Sequence, residues 1–210
     1  MKPFSTLRHN NNNTSRGKKP EESIQMPRIT KKFLRELWEF LKEARANTYA
    51  SGAKPKEDNE LPGFKKYVYT RQRVDHWTYI DRFAGSIFVG GMEVIYYRSE
   101  PVWFMTYGGG MTEEFRRNRQ ITKQTLRFLK KALLLPDGDV FQPRGGSLVI
   151  RGKQGQQIWR YHCTKSNQSG IPIDLSWNID DIREFQGSET IIHRHTAVFR
   201  QHFQGGLIIS

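Results

Sequence analysis

The stretch Glu93–Gly110, EVIYYRSEPVWFMTYGGG, and the stretch Glu189–Gly206, ETIIHRHTAVFRQHFQGG, are similar when aligned without a gap. The identical positions are Glu93/Glu189, Ile95/Ile191, Arg98/Arg194, Val102/Val198, Gly109/Gly205 and Gly110/Gly206. Trp103/Phe199 and Tyr107/Phe203 keep an aromatic side chain at two further positions. An internal repeat of this kind predicts two similar structural units, and we expect a pseudo-twofold axis to relate them.

The regions around the repeats predict more strands and two helices. Trp77-Thr78-Tyr79 resembles Trp159-Arg160-Tyr161, and both lie in stretches that alternate between apolar and polar residues. Helical spacing of apolar residues predicts one helix from about Thr30 to Ala46 and a second that begins near Thr112. We therefore expect an α+β fold in which a helix plus an antiparallel β-meander occurs twice, at about residues 29–111 and 112–210.

The chain carries a formal net charge of +13, and part of that charge lies at its N-terminus. Residues 1–28 contain a run of asparagines with scattered basic, glycine and proline residues and few large apolar ones. Such a segment buries too little surface to offset its ordering entropy. We expect a disordered basic tail at 1–28 and a single domain at 29–210.

The number of cysteines and the hydropathy of the chain limit the classes of protein to which it can belong. Cys163 is the only cysteine, so an intramolecular disulfide is excluded and a thiolate metal cluster is not expected. No apolar run approaches the length of a membrane span. These features predict a cytoplasmic protein that has no membrane partner, metal or cofactor, and they leave a homodimer open.

Four short motifs resemble a family of small bacterial and archaeal domains of uncharacterised function. They are Asn47-Thr48-Tyr49-Ala50 at a helix end, Tyr79-Ile80-Asp81, Phe88–Glu93, and Pro101–Gly109 with its Val-Trp-x-Met core. The resemblance covers roughly residues 30–206. Some members of that family follow an XRE-type helix-turn-helix DNA-binding module. By analogy, the resemblance implies a prokaryotic domain that senses a ligand or oligomerises.

Aromatic and polar residues of these motifs predict a small-molecule site. Trp103, Met105 and Tyr107 share one strand face by alternation. If part of the aromatic set lines a concave surface rather than the core, neighbouring polar groups would orient a ligand. The candidate ligand-binding residues are Asn47, Tyr49, Tyr79, Asp81, Glu93, Trp103 and Tyr107. The leading hypothesis is a non-enzymatic ligand-binding or sensor domain for an unknown small molecule.

Two alternatives come from other classes of protein. The first is nucleic-acid binding through the tail and the basic second helix, which would be sequence-tolerant and salt-dependent. Its candidate residues are Arg116, Arg117, Arg119, Lys123 and Arg127. The second is a hydrolase-like enzyme that uses the repeated carboxylates Glu93 and Glu189, since two close carboxylates can divide acid and base roles. Pairing of each glutamate with an arginine is the structural alternative to catalysis.

Overall fold

A computed structural model describes residues 28–71, 76–135, 140–173 and 176–208. The predicted tail at 1–28 lies almost wholly outside the described residues. Within them the fold is mixed α+β, mostly an antiparallel sheet with two helices. The fold class expected from the sequence is thus confirmed at this level.

The elements follow one another along the chain in a simple order. They are α1 Lys31–Ala46, β1 Lys56–Glu57, β2 Lys65–Thr70, β3 Trp77–Gly85, β4 Phe88–Tyr97, β5 Glu100–Met111, α2 Arg119–Leu133, β6 Leu148–Arg151, β7 Gln157–Ser166, β8 Pro172–Ile173, β9 Glu184–His193 and β10 Thr196–Leu207. Short 3₁₀ helices occupy Glu113–Phe115 and Ile179–Arg183.

The strands of the described ranges form one antiparallel sheet in the order β1-β2-β3-β4-β5-β10-β9-β7-β6, with β8 added to β7. The hairpins β4–β5 and β9–β10 lie side by side because β5 pairs with β10. The two similar stretches of sequence therefore form neighbouring hairpins. Each hairpin turns on two residues with positive φ, Arg98-Ser99 and Arg194-His195, as two-residue turns with a left-handed backbone require.

Helix α1 forms where the spacing of apolar residues predicts it. Thr30 is its N-cap and accepts a hydrogen bond from the backbone N–H of Phe33 at 3.2 Å. The expected apolar face is buried against the sheet: Phe33, Leu37, Phe40, Leu41 and Ala44. The ring of Phe40 stacks on that of Trp77 in β3, with centroids 5.4 Å apart.

Helix α2 begins later than the sequence predicts. The Thr112 hydroxyl donates to the carbonyl of Ala197 at 3.0 Å, so it holds the end of β5 to β10. The helix begins at Arg119, and Asn118 is its N-cap, accepting from the N–H of Ile121 at 3.0 Å. The expected start at Thr112 is wrong because the Thr112 side chain bonds to β10 and caps no helix.

Candidate ligand-binding site

A cavity of about 280 Å³ lies on the sheet face that the helices cover. Its lining comes from β2 to β5 with the turn between β3 and β4, from β10, from both helices, from the segment that follows α1 and from the segment that precedes β6. The residues are Arg45, Thr48, Tyr49, Ala50, Pro55, Lys65, Tyr67, Tyr79, Asp81, Phe83, Gly85, Ser86, Val89, Glu93, Tyr107, Leu126, Leu129, Leu133, Arg144, Phe199 and Gln201. Most of the wall is apolar or aromatic, and the charged groups are few.

Arg144 joins the two repeated glutamates at the base of this cavity. Its Nη1 donates to Glu93 Oε1 at 3.0 Å and its Nε donates to Glu189 Oε1 at 3.0 Å. Its Nη2 donates to Gln201 Oε1 at 3.1 Å. All four residues are buried. Burial alone lowers the pKa of Arg144, but the carboxylates of Glu189 and Glu93 outweigh it and raise that pKa well above its usual value.

Each glutamate also has a second partner. Arg45, in the last turn of α1, donates through Nη2 to Glu93 Oε2 at 2.9 Å. The Tyr161 hydroxyl donates to Glu189 Oε2 at 2.6 Å. Burial, followed by the charge of Glu189, raises the pKa of Tyr161 well above its usual value, so this hydroxyl stays protonated as a donor. This geometry gives both glutamates ion-pair partners.

Asp81 and Tyr107 form the second polar group of the cavity. The Tyr107 hydroxyl donates to Asp81 Oδ1 at 2.7 Å. Asp81 in β3 lies opposite Glu93 in β4. Burial, followed by the charge of Glu93, raises the pKa of Asp81 to about 7. Asp81 can therefore exchange a proton near neutral pH, whereas burial and Asp81 itself raise the pKa of Tyr107 well above its usual value.

Tyrosine rings form much of the wall above Asp81. Tyr49 follows α1 and packs edge-on against Tyr67, with centroids 6.4 Å apart. Tyr67 in turn stacks on Phe83 at 5.6 Å. Burial raises the pKa of Tyr49 to about 12, so the hydroxyl is neutral at physiological pH. The ammonium of Lys130 lies 4.8 Å from the Tyr49 ring centroid.

The structure brings together five of the seven residues predicted as a ligand site. Tyr49, Tyr79, Asp81, Glu93 and Tyr107 line the cavity. The other two lie elsewhere among the described residues. Asn47 is exposed and its side-chain amide donates to the carbonyl of Glu43 at the end of α1, and Trp103 is fully buried against Phe185.

Sequence reasoning missed Arg144 and Arg45. Arg144 lies in an irregular segment before β6 that carries no periodic pattern, and Arg45 lies in the last turn of a helix in which Lys31, Lys32 and Arg35 are exposed. A signal did exist, because two glutamates repeated on inward-facing strand positions require buried cations. Only the folded chain shows which of its 34 lysines and arginines supply them.

The residues predicted for nucleic-acid binding lie away from the cavity and are exposed: Arg116, Arg117, Arg119, Lys123 and Arg127. Arg116 and Arg117 precede α2 because the helix begins at Arg119. None of the five forms a salt bridge with another described residue. Arg116 nonetheless packs its guanidinium 5.2 Å from the Phe88 ring centroid.

Within the described ranges no group of three or more His, Cys, Asp or Glu side chains has the geometry of a metal site. In the same ranges no helix is long and apolar enough to cross a membrane.

Residues 81–171 match a family described as Domain of unknown function (DUF5680). The match spans less than half of the chain but agrees with the resemblance to an uncharacterised family. Searches of curated proteins and of solved structures found no match.

Proposed function

We propose that this protein binds a small molecule in the cavity and acts as a binding or sensor domain rather than as an enzyme. The composition of the cavity wall, which is mostly apolar with a few polar groups, supports this proposal. Aromatic and aliphatic side chains supply most of the surface, and Asp81 with Tyr107 supplies a buried polar pair. Binding sites for small molecules combine an apolar wall with a few polar groups in this way.

The hydrogen-bond partners of the two repeated glutamates favour binding over hydrolysis. A hydrolase-like mechanism would need one of the repeated glutamates to act as an acid or base. Glu93 accepts hydrogen bonds from Arg45 and Arg144, and Glu189 accepts from Arg144 and Tyr161. Both oxygens of each glutamate thus accept hydrogen bonds from the protein's own side chains, which leaves neither glutamate placed to act on a substrate.

We infer as well that the two hairpins arose by internal duplication. Tyr107 and Phe203 occupy equivalent positions of the aligned stretches, and they pair directly across β5 and β10. A Cβ at Gly91 would lie 2.5 Å from the Tyr107 ring, and one at the equivalent Gly187 would lie 2.7 Å from the Phe203 ring. A local twofold axis between Tyr107 and Phe203 accounts for these matching contacts.

The proposed site has no counterpart in the second half under this duplication. Asp81 lies opposite Glu93, and Cys163 lies opposite the equivalent Glu189. Phe203 takes the place of Tyr107. The second half thus lacks both members of the Asp81–Tyr107 pair, and we propose that the first half supplies this polar pair while both halves supply the cavity wall.

A thermal-shift screen of a metabolite library tests the binding function. The blocking variant is Leu126→Trp, because Leu126 lines the cavity and is half-buried on α2. The matched control is Leu135→Trp, an exposed leucine after the same helix. We expect a ligand that raises the melting temperature of the wild type and the control but not of the blocked variant. A screen in which every hit stabilises all three proteins equally would contradict the proposal.

Nucleic-acid binding is a second candidate, favoured by the exposed basic residues that make no salt bridge with described residues. Fluorescence anisotropy with labelled DNA and RNA over a salt series tests it. We expect the charge reversal Arg119→Glu/Lys123→Glu to weaken binding and flatten its salt dependence. The control reverses two exposed lysines of α1, Lys31→Glu/Lys32→Glu. Equal losses in the two variants would indicate nonspecific attraction.

A further inference from the structure

The charged groups of the cavity leave one carboxyl group without a cation of its own. Arg144 and Arg45 are held by Glu93 and Glu189, so these four charges balance one another. Lys65, at the edge of the cavity, lies 3.7 Å from Glu57. Asp81 is only 5% exposed, and the Tyr107 hydroxyl on Oδ1 is its one hydrogen-bond partner among the described residues. Its second oxygen, Oδ2, is left for a donor from outside the chain.

Aromatic rings surround the space next to this carboxyl group. They belong to Tyr49, Tyr67, Tyr79, Phe83 and Tyr107, all of which line the cavity. The faces of aromatic rings attract organic cations, and the attraction is strongest where water is excluded. A carboxylate within a set of aromatic rings is therefore suited to an ammonium group that carries an apolar body.

We propose, building on the binding function proposed above, that the ligand is a protonated organic amine whose nitrogen donates to Asp81 while its apolar body packs against the aromatic wall. An anion is disfavoured because Asp81 would repel it and because Glu93 and Glu189 balance the charges of the two arginines, although Nη1 of Arg45 has no hydrogen-bond partner among the described residues. A neutral molecule would fit beside the protonated form of Asp81 but would compensate none of the buried charge of the ionised form, which an ammonium group does.

Binding of an amine to Asp81 would be linked to pH. The ionisable groups that line the cavity with Asp81 are Arg45, Tyr49, Lys65, Tyr67, Tyr79, Glu93, Tyr107 and Arg144. The pKa values of the four tyrosines and of Arg144 are raised further above pH 7, so Asp81, with a pKa of about 7, is the group expected to titrate. The amine needs the ionised form, whose fraction rises about tenfold between pH 6 and pH 8.

Isothermal titration calorimetry with matched probes tests the ligand class. The probes are tryptamine, phenethylamine and hexylamine, each compared with the alcohol and the carboxylate of closely similar skeleton. We expect at least one amine to bind the full chain, with an affinity that rises about tenfold from pH 6 to pH 8 and falls by at least about tenfold in Asp81→Asn. Leu126→Trp should abolish binding, and Leu135→Trp should preserve it.

Two results would overturn this ligand class and leave the binding function standing. One is an alcohol or carboxylate that binds as tightly as its amine and is lost in Leu126→Trp. The other is a set of amines that fail to bind while the metabolite screen finds a ligand blocked by Leu126→Trp. Failure of both the probes and the screen would overturn the binding function together with the ligand class.

Discussion

At the scale of single residues, Arg144 is the group on which the buried polar cluster depends. It donates to Glu93, Glu189 and Gln201, which lie on β4, β9 and β10. One side chain thus connects both hairpins to the segment before β6. Buried ions are costly unless every charge and donor is matched, so the loss of Arg144 leaves Glu189 without a cation in the core and Glu93 with Arg45 alone.

We expect Arg144→Met to destabilise the protein by about 3–5 kcal/mol, the usual cost of removing one partner from a buried ion pair. Urea denaturation at pH 7 measures the change. Arg117→Met serves as the control because Arg117 is exposed, and its effect should stay within about 0.5 kcal/mol. An Arg144→Met variant as stable as this control would show that the cluster contributes nothing to stability.

Asp81 should make stability depend on pH. Its pKa is raised to about 7 in the folded chain, so between about pH 4 and 7 the folded state holds a proton that the unfolded state has lost. The stabilisation that this proton provides is present below the unfolded pKa and is lost as pH rises through 7. We expect Asp81→Asn, which stays neutral and can still accept from Tyr107, to be more stable than wild type at pH 8, by up to about 4 kcal/mol.

Chemical denaturation of wild type and Asp81→Asn at pH 5 and pH 8 measures this difference. The advantage of the variant should shrink at pH 5, where Asp81 is already neutral. Asp180→Asn is the control, since Asp180 is more than half exposed. An equal advantage at both pH values would mean that ionisation of Asp81 is not its cause.

Among the elements, the sequence predicts α1 well because local patterns determine it. Thr30 and the apolar spacing that follows fix α1. The start of α2 depends on a longer-range contact, in which Thr112 donates to Ala197 of β10. No local pattern in the sequence indicates that contact, so the sequence predicts a helix start at Thr112 that is too early.

Substitution of Asn118, the N-cap of α2, tests where this helix begins. We expect Asn118→Ala to lower stability by about 1 kcal/mol because it leaves the N–H of Ile121 without its partner. Asn118→Asp keeps an acceptor at the same place and should cost little. Thermal denaturation compares the two, and equal melting temperatures would contradict the cap assignment.

A pair of neighbouring glycines tests the packing of β4 on β5. A Cβ at Gly91 would lie 2.5 Å from the Tyr107 ring and 2.8 Å from the backbone oxygen of Arg82, whereas a Cβ at Gly90 would meet nothing within 4 Å. We expect Gly91→Ala to cost about 1–3 kcal/mol and Gly90→Ala to be tolerated. Urea denaturation measures both, and similar midpoints would contradict the close approach of Gly91 and Tyr107.

At the scale of the whole molecule, the sequence predicts the α+β class and the antiparallel strands because both follow from periodicity. It also places Asp81 and Glu93 in one candidate site, as polar groups beside the aromatic residues of the same motifs. The cavity itself could not be predicted. Its walls come from segments far apart in the chain, such as Tyr49 and Phe199, and their distance depends on how helices pack on the sheet.

We propose above that the cavity holds a small molecule. Native mass spectrometry of the full chain purified from cells measures this occupancy directly. The wild type, Leu126→Trp and Leu135→Trp are compared under the same conditions. We predict one discrete small-molecule adduct on the wild type and on Leu135→Trp, and none on Leu126→Trp. An adduct retained equally by the blocked variant, or a bare chain in all three spectra, would contradict the claim.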